Sequence, residues 1–154
     1  MGIEIERKFL VRGEGWRTGA ETRVIRQGFL STDPDRTVRV RVAGDRGYLT
    51  VKGRAEGLVR AEFEYPIPVE DANAMLDRLC LRPLIEKTRH RVEHAGLVWE
   101  VDEFHGENQG LVLAEVELDD PGAEVRLPPW TGEEVSGDPR YYNANLVRHP
   151  FAKW

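Results

Sequence analysis

Charged residues occupy every second position in the segment EIERK near the start of the chain, at Glu4, Glu6 and Lys8. Because side chains at i, i+2 and i+4 of a β-strand point to the same side, these three would share one face. A second carboxylate pair with this spacing, Glu115 and Glu117, lies in LAEVEL. Carboxylates two residues apart have Cα atoms roughly 7 Å apart, close enough to hold one or two neighbouring hard cations.

Two such pairs from different strands would form a metal site made only of oxygen ligands. Oxygen ligands favour Mg²⁺ or Mn²⁺, whereas zinc sites are built mainly from histidine and cysteine. The histidines lack the spacing of metal ligands, so we interpret them as structural or surface residues. They are His90, His94, His105 and His149.

Basic side chains alternate in the same way in other segments. They are Arg39, Arg41, Lys52, Lys87 and Arg89. A surface that groups them favours a phosphate-rich polyanion, because arginine binds phosphate oxygens in pairs and lysine acts as a point charge. The chain lacks the GxxxxGK[ST] loop, so side chains would have to hold the phosphates. No arrangement of nucleophile and base suggests covalent catalysis, and metal-assisted attack of water on a phosphoryl group is the chemistry these residues favour.

Eight segments of alternating polar and apolar residues would position these groups as strands. The predicted strands cover residues 3–10, 23–30, 37–44, 46–53, 59–67, 85–94, 97–104 and 111–118. An apolar stripe formed by Met75, Leu76, Leu79 and Cys80 predicts a helix over residues 70–81. A second helix is predicted over residues 138–149 with Asp138 as its N-cap, and a short helical turn over residues 130–135.

Two architectures fit a sheet with one charged face. The charged face could be exposed to water and crossed by ion pairs, each contributing at most about 1 kcal/mol. Alternatively, the sheet closes into a barrel with the charged face inside, and the interior then holds water, metal ions and a charged ligand because isolated charges are costly to bury. Some strands carry pairs of acidic residues and others carry pairs or triplets of basic residues, which favours the closed barrel. We therefore predict a mainly β (α+β) fold, a closed eight-stranded antiparallel β-barrel with helices packed outside.

Composition limits the classes of function. The chain has 154 residues, 32% of them charged, and a net charge of −5, so a broadly basic nucleic-acid-binding surface is not expected. We see no linker and expect one domain over residues 1–154. The single cysteine, Cys80, excludes an internal disulfide and suits a reducing cytoplasm. No apolar run reaches membrane-spanning length, so no membrane partner is expected.

The order of the segments resembles the CYTH superfamily, also called triphosphate tunnel metalloenzymes. EIERKFLV is similar to its ExExK signature, and the resemblance continues through VRVR, LTVKG, EFEYPI, EKTRHRV, WEVDEF and LAEVELD. It is closest to the compact bacterial members. The resemblance implies an eight-stranded antiparallel barrel whose tunnel binds a triphosphate with divalent metal ions.

The resemblance also implies roles for individual residues. Metal ligands would be Glu4, Glu6, Glu115, Glu117 and Asp102, with Glu62 and Glu64 as further tunnel acids. The phosphates would be held by Lys8, Arg39, Arg41, Lys52, Lys87 and Arg89. Catalysis would depend most on Glu4, Glu6, Lys8, Lys87 and Asp102. Phe29 stands where bacterial members often have tyrosine, and Lys153 is the only late candidate for the lysine that larger members place over the tunnel.

Several functions remain open at this point. We expect metal-dependent hydrolysis of inorganic triphosphate (tripolyphosphate), with ATP or thiamine triphosphate as alternative substrates. The rivals are an adenylate cyclase of the same superfamily, a non-catalytic polyphosphate or nucleotide sensor, and a barrel whose charges only form ion pairs. The chain would act as a monomer or a homodimer.

Overall fold

Antiparallel β-strands make up most of the protein. The computed structural model describes residues 2–18 and 20–154. The strands of the barrel are β1 (Ile3–Val11), β2 (Glu21–Ser31), β3 (Thr37–Ala43), β4 (Arg46–Lys52), β5 (Val59–Ile67), β6 (Ile85–His94), β7 (Leu97–Phe104) and β8 (Val112–Glu117). Each predicted strand is therefore present, with its ends shifted by at most a few residues.

The sheet closes on itself. Its strands follow the order β5-β4-β3-β2-β6-β7-β8-β1, and a further pairing of β1 with β5 completes the barrel. At this closure Glu4 lies opposite Arg60 on β5, while on the other side of β1 Lys8 lies opposite Glu115 on β8. The first and last barrel strands thus bring the two predicted carboxylate pairs onto neighbouring strands.

The outer face of β3 and β4 is covered by α1 (Val69–Arg78). Val40, Ala72, Leu76 and Cys80 form one buried cluster there, so this helix packs outside the barrel as predicted. A Cβ on Gly47 would lie 2.8 Å from the Cβ of Ala72, which explains why the strand beneath the helix needs glycine at this point. Leu79, predicted to belong to the apolar stripe, is instead 66% exposed because the helix ends one residue before it.

Aromatic residues cover the outer face of β1, β7 and β8. Trp99 is fully buried and contacts both Phe9 and Trp130, at ring-centroid distances of 5.5 and 5.6 Å. Trp16 joins the same cluster. The structure also corrects the predicted turn over residues 130–135, because Thr131–Glu134 forms a ninth strand, β9, paired with β1 outside the closed ring.

The predicted helix over residues 138–149 is divided in two. The Asp138 side chain accepts a hydrogen bond from the backbone N–H of Arg140 at 3.1 Å, so it caps as predicted, but it caps a 3₁₀ turn at Pro139–Tyr141. Tyr142 is extended, and the helix α2 (Asn143–Arg148) begins after it. No helix in the described residues is long and apolar enough to cross a membrane.

Candidate metal and polyanion site inside the barrel

The inward-facing side chains form two zones along the barrel. On each of five strands, one charged or polar inward residue lies two positions from an apolar inward residue. The pairs are Lys8 and Leu10, Gln27 and Phe29, Lys87 and Ile85, Asp102 and Phe104, and Glu115 and Leu113. Since residues two apart share a face, the interior changes from charged to apolar within one step of each strand.

The apolar zone, which we call the floor, consists of Leu10, Phe29, Ile85, Phe104 and Leu113. These residues pack against Leu146 and Val147 of α2 in one cluster. The helix α2 therefore lies across one end of the barrel rather than on its outer surface. The charged zone therefore faces the opposite end of the barrel, which we call the open end.

Three carboxylates meet at the open end, and we call them the rim cluster: Glu4, Glu62 and Glu117. One oxygen from each lies within 4.8 Å of the others. The Lys52 ammonium bridges two of them, with Nζ 3.0 Å from Glu4 Oε1 and 3.3 Å from Glu62 Oε2. Oxygen donors at this spacing fit a hard divalent cation such as Mg²⁺ or Mn²⁺.

Crowding of like charges supports a cation at the rim cluster. Burial and the neighbouring Glu4 carboxylate raise the pKa of both Glu62 and Glu117. For Glu4, burial alone would raise the pKa, but Lys52 together with a hydrogen bond from Glu62 outweighs burial, and the pKa is lowered. A divalent cation would relieve the repulsion that a single lysine only partly compensates.

Glu6 lies one step deeper, beside Glu115. Burial, followed by repulsion from Glu115 and Glu4, raises the pKa of Glu6 well above its usual value. Burial would do the same to Glu115, but Lys8, Arg89 and Lys87 outweigh it and hold the pKa of Glu115 well below its usual value. Glu115 is thus already compensated by three protein cations, whereas Lys8 compensates Glu6 only in part, so Glu6 would gain most from a bound metal ion.

Lys87, Arg89 and Asp102 form the deepest ion-paired group. Lys87 Nζ lies 2.7 Å from Asp102 Oδ2, and Arg89 donates from Nε to Asp102 Oδ1 at 2.8 Å and from Nη2 to Oδ2 at 2.9 Å. Lys87 and Asp102 are each 1% exposed. Burial would raise the pKa of Asp102, but Arg89 and Lys87 lower it to about 2. Asp102 is therefore committed to two cations, and the structure does not join it to the rim cluster.

The cationic group continues around the barrel to β3. Arg41 donates from Nε to Gln27 Oε1 at 2.8 Å, and Arg39 donates from Nη2 to Thr50 Oγ1 at 3.1 Å and to Glu64 Oε1 at 3.3 Å. Burial and the neighbouring Arg39 and Arg89 lower the pKa of Arg41. The field here is positive and only partly compensated, as expected for a site that binds a multiply charged anion.

Lys8 links the two halves of the site. Its Nζ lies 3.6 Å from Glu115 Oε1, donates to the backbone carbonyl of Tyr141 at 3.2 Å and lies 5.7 Å from the centre of the Tyr142 ring. Lys8 is thus held between β8 and the C-terminal segment.

Several residues that contact the site were not predicted from the sequence, among them Arg60, Gln27, Tyr142 and Asn143. Arg60 lies on the same face of β5 as Glu62, and burial lowers its pKa. It donates to the Gly53 carbonyl and to Thr37 Oγ1 at 2.6 and 2.9 Å, and its alternation with Glu62 was a usable signal. Gln27, Tyr142 and Asn143 had no comparable signal, since two of them lie outside the barrel strands and Gln27 is uncharged.

The remaining sequence predictions have plain structural outcomes. Phe29 belongs to the floor, so this position offers no hydroxyl to the charged zone. Lys153 lies in an exposed 3₁₀ turn, Phe151–Lys153. His90 is buried on the outer side of β6, against Trp16 at 4.7 Å between ring centroids, which agrees with a structural role.

The closed barrel, its oxygen-rich rim and its cationic interior define the class of protein. The family model of the CYTH domain matches residues 2–149, and the chain belongs to the CYTH family.

Two relatives named inorganic triphosphatase align with nearly the whole chain. The chain is 53% identical to the inorganic triphosphatase of Acetivibrio thermocellus over 151 residues, which are 98% of this chain and 97% of that protein. It is 39% identical to the inorganic triphosphatase of Nitrosomonas europaea over 149 residues, 94% of this chain and 96% of that protein. The crystal structure of an inorganic triphosphatase matches with a TM-score of 0.66 at 35% identity and covers 94% of this chain and 93% of that one.

Proposed function

We propose that this protein hydrolyses inorganic triphosphate inside the barrel, in a reaction that requires Mg²⁺ or Mn²⁺. The observation that carries the proposal is that one barrel interior holds both the three carboxylates of the rim cluster and a partly compensated cationic group. A linear triphosphate has the negative charge that suits the cationic group. It would bind together with a divalent metal ion, which suits the rim cluster. Two relatives that cover nearly the whole chain are named inorganic triphosphatases.

The cationic side chains would bind and orient the phosphates. Arg41 and Arg89 present planar guanidinium groups that suit phosphate oxygens, and Lys87 and Lys8 add point charges. Asp102 holds Lys87 and Arg89 in fixed positions. Because these groups are fixed before substrate arrives, they would stabilise charge on the phosphoryl group without reorganising.

The rim cluster would hold the metal ion, with Glu6 and Glu115 as further oxygen donors below it. A bound divalent cation supplies charge neutralisation on phosphate oxygens and a lower pKa for water. The floor closes the other end of the barrel with apolar side chains, so the phosphates would enter from the open end. The names of the two relatives favour a bare triphosphate over ATP or thiamine triphosphate.

A non-catalytic polyphosphate sensor fits the site less well. A protein that only binds anions would be weakened by Glu4, Glu62 and Glu117 at the entrance, because each carboxylate repels phosphate. An adenylate cyclase would share the same metal and phosphate contacts, so analysis of the product from ATP separates it from a hydrolase.

Phosphate release tests the proposal. Tripolyphosphate, ATP and thiamine triphosphate are each supplied with Mg²⁺, Mn²⁺ or a chelator, to the wild type, Glu6→Gln and the exposed control Glu133→Gln. We expect metal-dependent release that is fastest from tripolyphosphate, lost in Glu6→Gln and unchanged in Glu133→Gln. Cyclic AMP as the product, or no release from any substrate, would contradict it.

A further inference from the structure

The first residue of α2, Asn143, reaches the deepest cation of the barrel. Its Oδ1 accepts a hydrogen bond from Lys87 Nζ at 2.9 Å and another from Gln27 Nε2 at 2.7 Å. Lys87 and Gln27 are almost completely buried, at 1% and 0% exposure. Because both partners are donors, the side-chain oxygen rather than the nitrogen of Asn143 must face them.

Two of the three donor directions of Lys87 are thereby fixed. One N–H points to Asp102 Oδ2 at 2.7 Å and another to Asn143 Oδ1. An ammonium group has three N–H donors in tetrahedral arrangement, so fixing two of them sets the direction of the third. Asp102 alone would leave the ammonium free to rotate about a single contact.

Gln27 holds Asn143 in place from the other side. Its Nε2 donates to Asn143, and its Oε1 accepts from Arg41 Nε at 2.8 Å. These two hydrogen bonds fix the orientation of the Gln27 amide. Asn143 Oδ1 is therefore held by Gln27 on β2 and by Lys87 on β6. The helix end and the barrel wall are joined at this point.

The neutrality of Asn143 also matters for an anionic ligand. A carboxylate at this position would bring a second negative charge onto Lys87 and would compete with phosphate for it. Burial lowers the pKa of Lys87 to about 7, and a nearby phosphate would favour the charged form. A neutral amide oxygen orients the amino group without competing with the phosphate for that charge. The C-terminal segment also offers a neutral acceptor to Lys8, whose Nζ donates to the backbone carbonyl of Tyr141 at 3.2 Å.

We propose that Asn143 is a positioning residue for triphosphate binding, whose side-chain oxygen aims the Lys87 ammonium at a phosphate group without neutralising it. The proposal rests on the proposed function, since it needs a phosphate beside Lys87. The helix α2 would then both close the barrel and position a residue of the phosphate site.

The affinity for imidotriphosphate, in which nitrogen replaces the bridging oxygens, tests this without turnover. Calorimetry with Mn²⁺ present compares the wild type, Asn143→Ala, Lys87→Ala and the double variant. The control is Asn145→Ala on the same helix, where the side chain donates only to the Pro139 carbonyl at 2.9 Å. Thermal unfolding of each variant is followed in parallel.

We expect Asn143→Ala to weaken binding about tenfold, the loss typical of one hydrogen bond to a charged group. In the Lys87→Ala background the same substitution should cost less than about threefold, because the group that Asn143 aims is gone. Asn145→Ala should bind as the wild type does. If Asn143→Ala does not fold, Asn143→Ser replaces it, since serine suits a helix start but its hydroxyl is too short to reach Lys87.

Two results would overturn the inference. Either the wild type and Asn143→Ala bind imidotriphosphate equally, or the substitution weakens binding equally with and without Lys87, as a purely structural role predicts. A wild type that binds no imidotriphosphate would instead contradict the proposed function itself, and the inference with it. The two failures are therefore distinguishable.

Discussion

The charged zone and the floor of the barrel are built on the same face of the same strands, yet one holds ion-paired side chains and the other only apolar ones. One step along β1 leads from Lys8, which faces carboxylates, to Leu10, which packs against α2. One step along β8 leads from Glu115 to Leu113, which is fully buried. In the charged zone most groups are buried beside a partner of opposite charge, whereas the floor buries apolar side chains alone. The difference shows that depth along the barrel, and not only the face of the strand, decides what an inward residue can be.

Moving a charge across this boundary should have the largest effect. Leu113→Glu would bury a carboxylate in the floor, where the surrounding side chains are apolar, and an isolated buried charge costs several kcal/mol. We expect little folded protein, measured by near-ultraviolet circular dichroism and urea unfolding. Leu113→Met is the matched control and should cost less than about 1.5 kcal/mol. A stable Leu113→Glu variant would mean that the floor is open to water.

Removing the shared anion of the charged zone should come next. Asp102→Asn keeps the shape of the side chain but leaves Lys87 and Arg89 without their carboxylate, and breaking a buried pair costs about 3 kcal/mol or more. We expect that loss in the free energy of unfolding in urea. The control is Glu100→Gln, since Glu100 is a 40% exposed partner of the same Arg89. Equal stability of both variants would contradict the idea that the charges are fixed as a unit.

Neutralising one carboxylate of the rim cluster should change metal dependence more than stability. In Glu62→Gln we expect the metal concentration for half-maximal activity to rise roughly tenfold or more, because one ionic ligand is lost. The measurement is phosphate release from tripolyphosphate against Mn²⁺ concentration, with Glu133→Gln as the exposed control. An unchanged metal requirement would place the metal ion elsewhere.

An ion pair outside the barrel should have the smallest effect. Arg7 and Glu134 join β1 to β9 at 2.8 Å, and the hydrogen bond to Arg7 lowers the pKa of Glu134. Because the pKa is lower in the folded state, ionised Glu134 stabilises the fold at pH values above the usual carboxyl pKa. That stabilisation is lost as the pH falls from the usual pKa through the lowered pKa of the folded state. Both side chains are partly exposed, so we expect the Glu134→Gln variant to lose less than about 1 kcal/mol at pH 7. The difference from the wild type should narrow in urea unfolding at pH 3, and a constant difference would contradict the pair.

Strand alternation predicted most of the charged zone from the sequence. Glu4, Lys8 and Glu115 were assigned to one interior face, and the structure brings them together. Arg60 could have been found in the same way, since it precedes Glu62 by two residues. It was missed because its neighbours on β5 are acidic.

The floor and the closing helix could not be predicted by that argument. Alternation gives the face of a residue but not its depth, so Leu113 and Phe104 carry no sign that they end the charged zone. The contact of Asn143 with Lys87 joins residues 56 positions apart, and no local pattern records it. The strand Thr131–Glu134 forms because β1 offers an edge beyond the ring, and its own sequence, TGEE, has little preference for a strand.

Locating the metal ion and the phosphates directly is the measurement that tests the account most simply. A crystal structure with Mn²⁺ and imidotriphosphate, with anomalous scattering to identify manganese, would place both. We expect manganese against the carboxylates of Glu4, Glu62 and Glu117, and phosphate oxygens against Arg41, Lys87 and Arg89, with the floor still closed by α2. Manganese away from those carboxylates, or a ligand bound outside the barrel, would contradict the account.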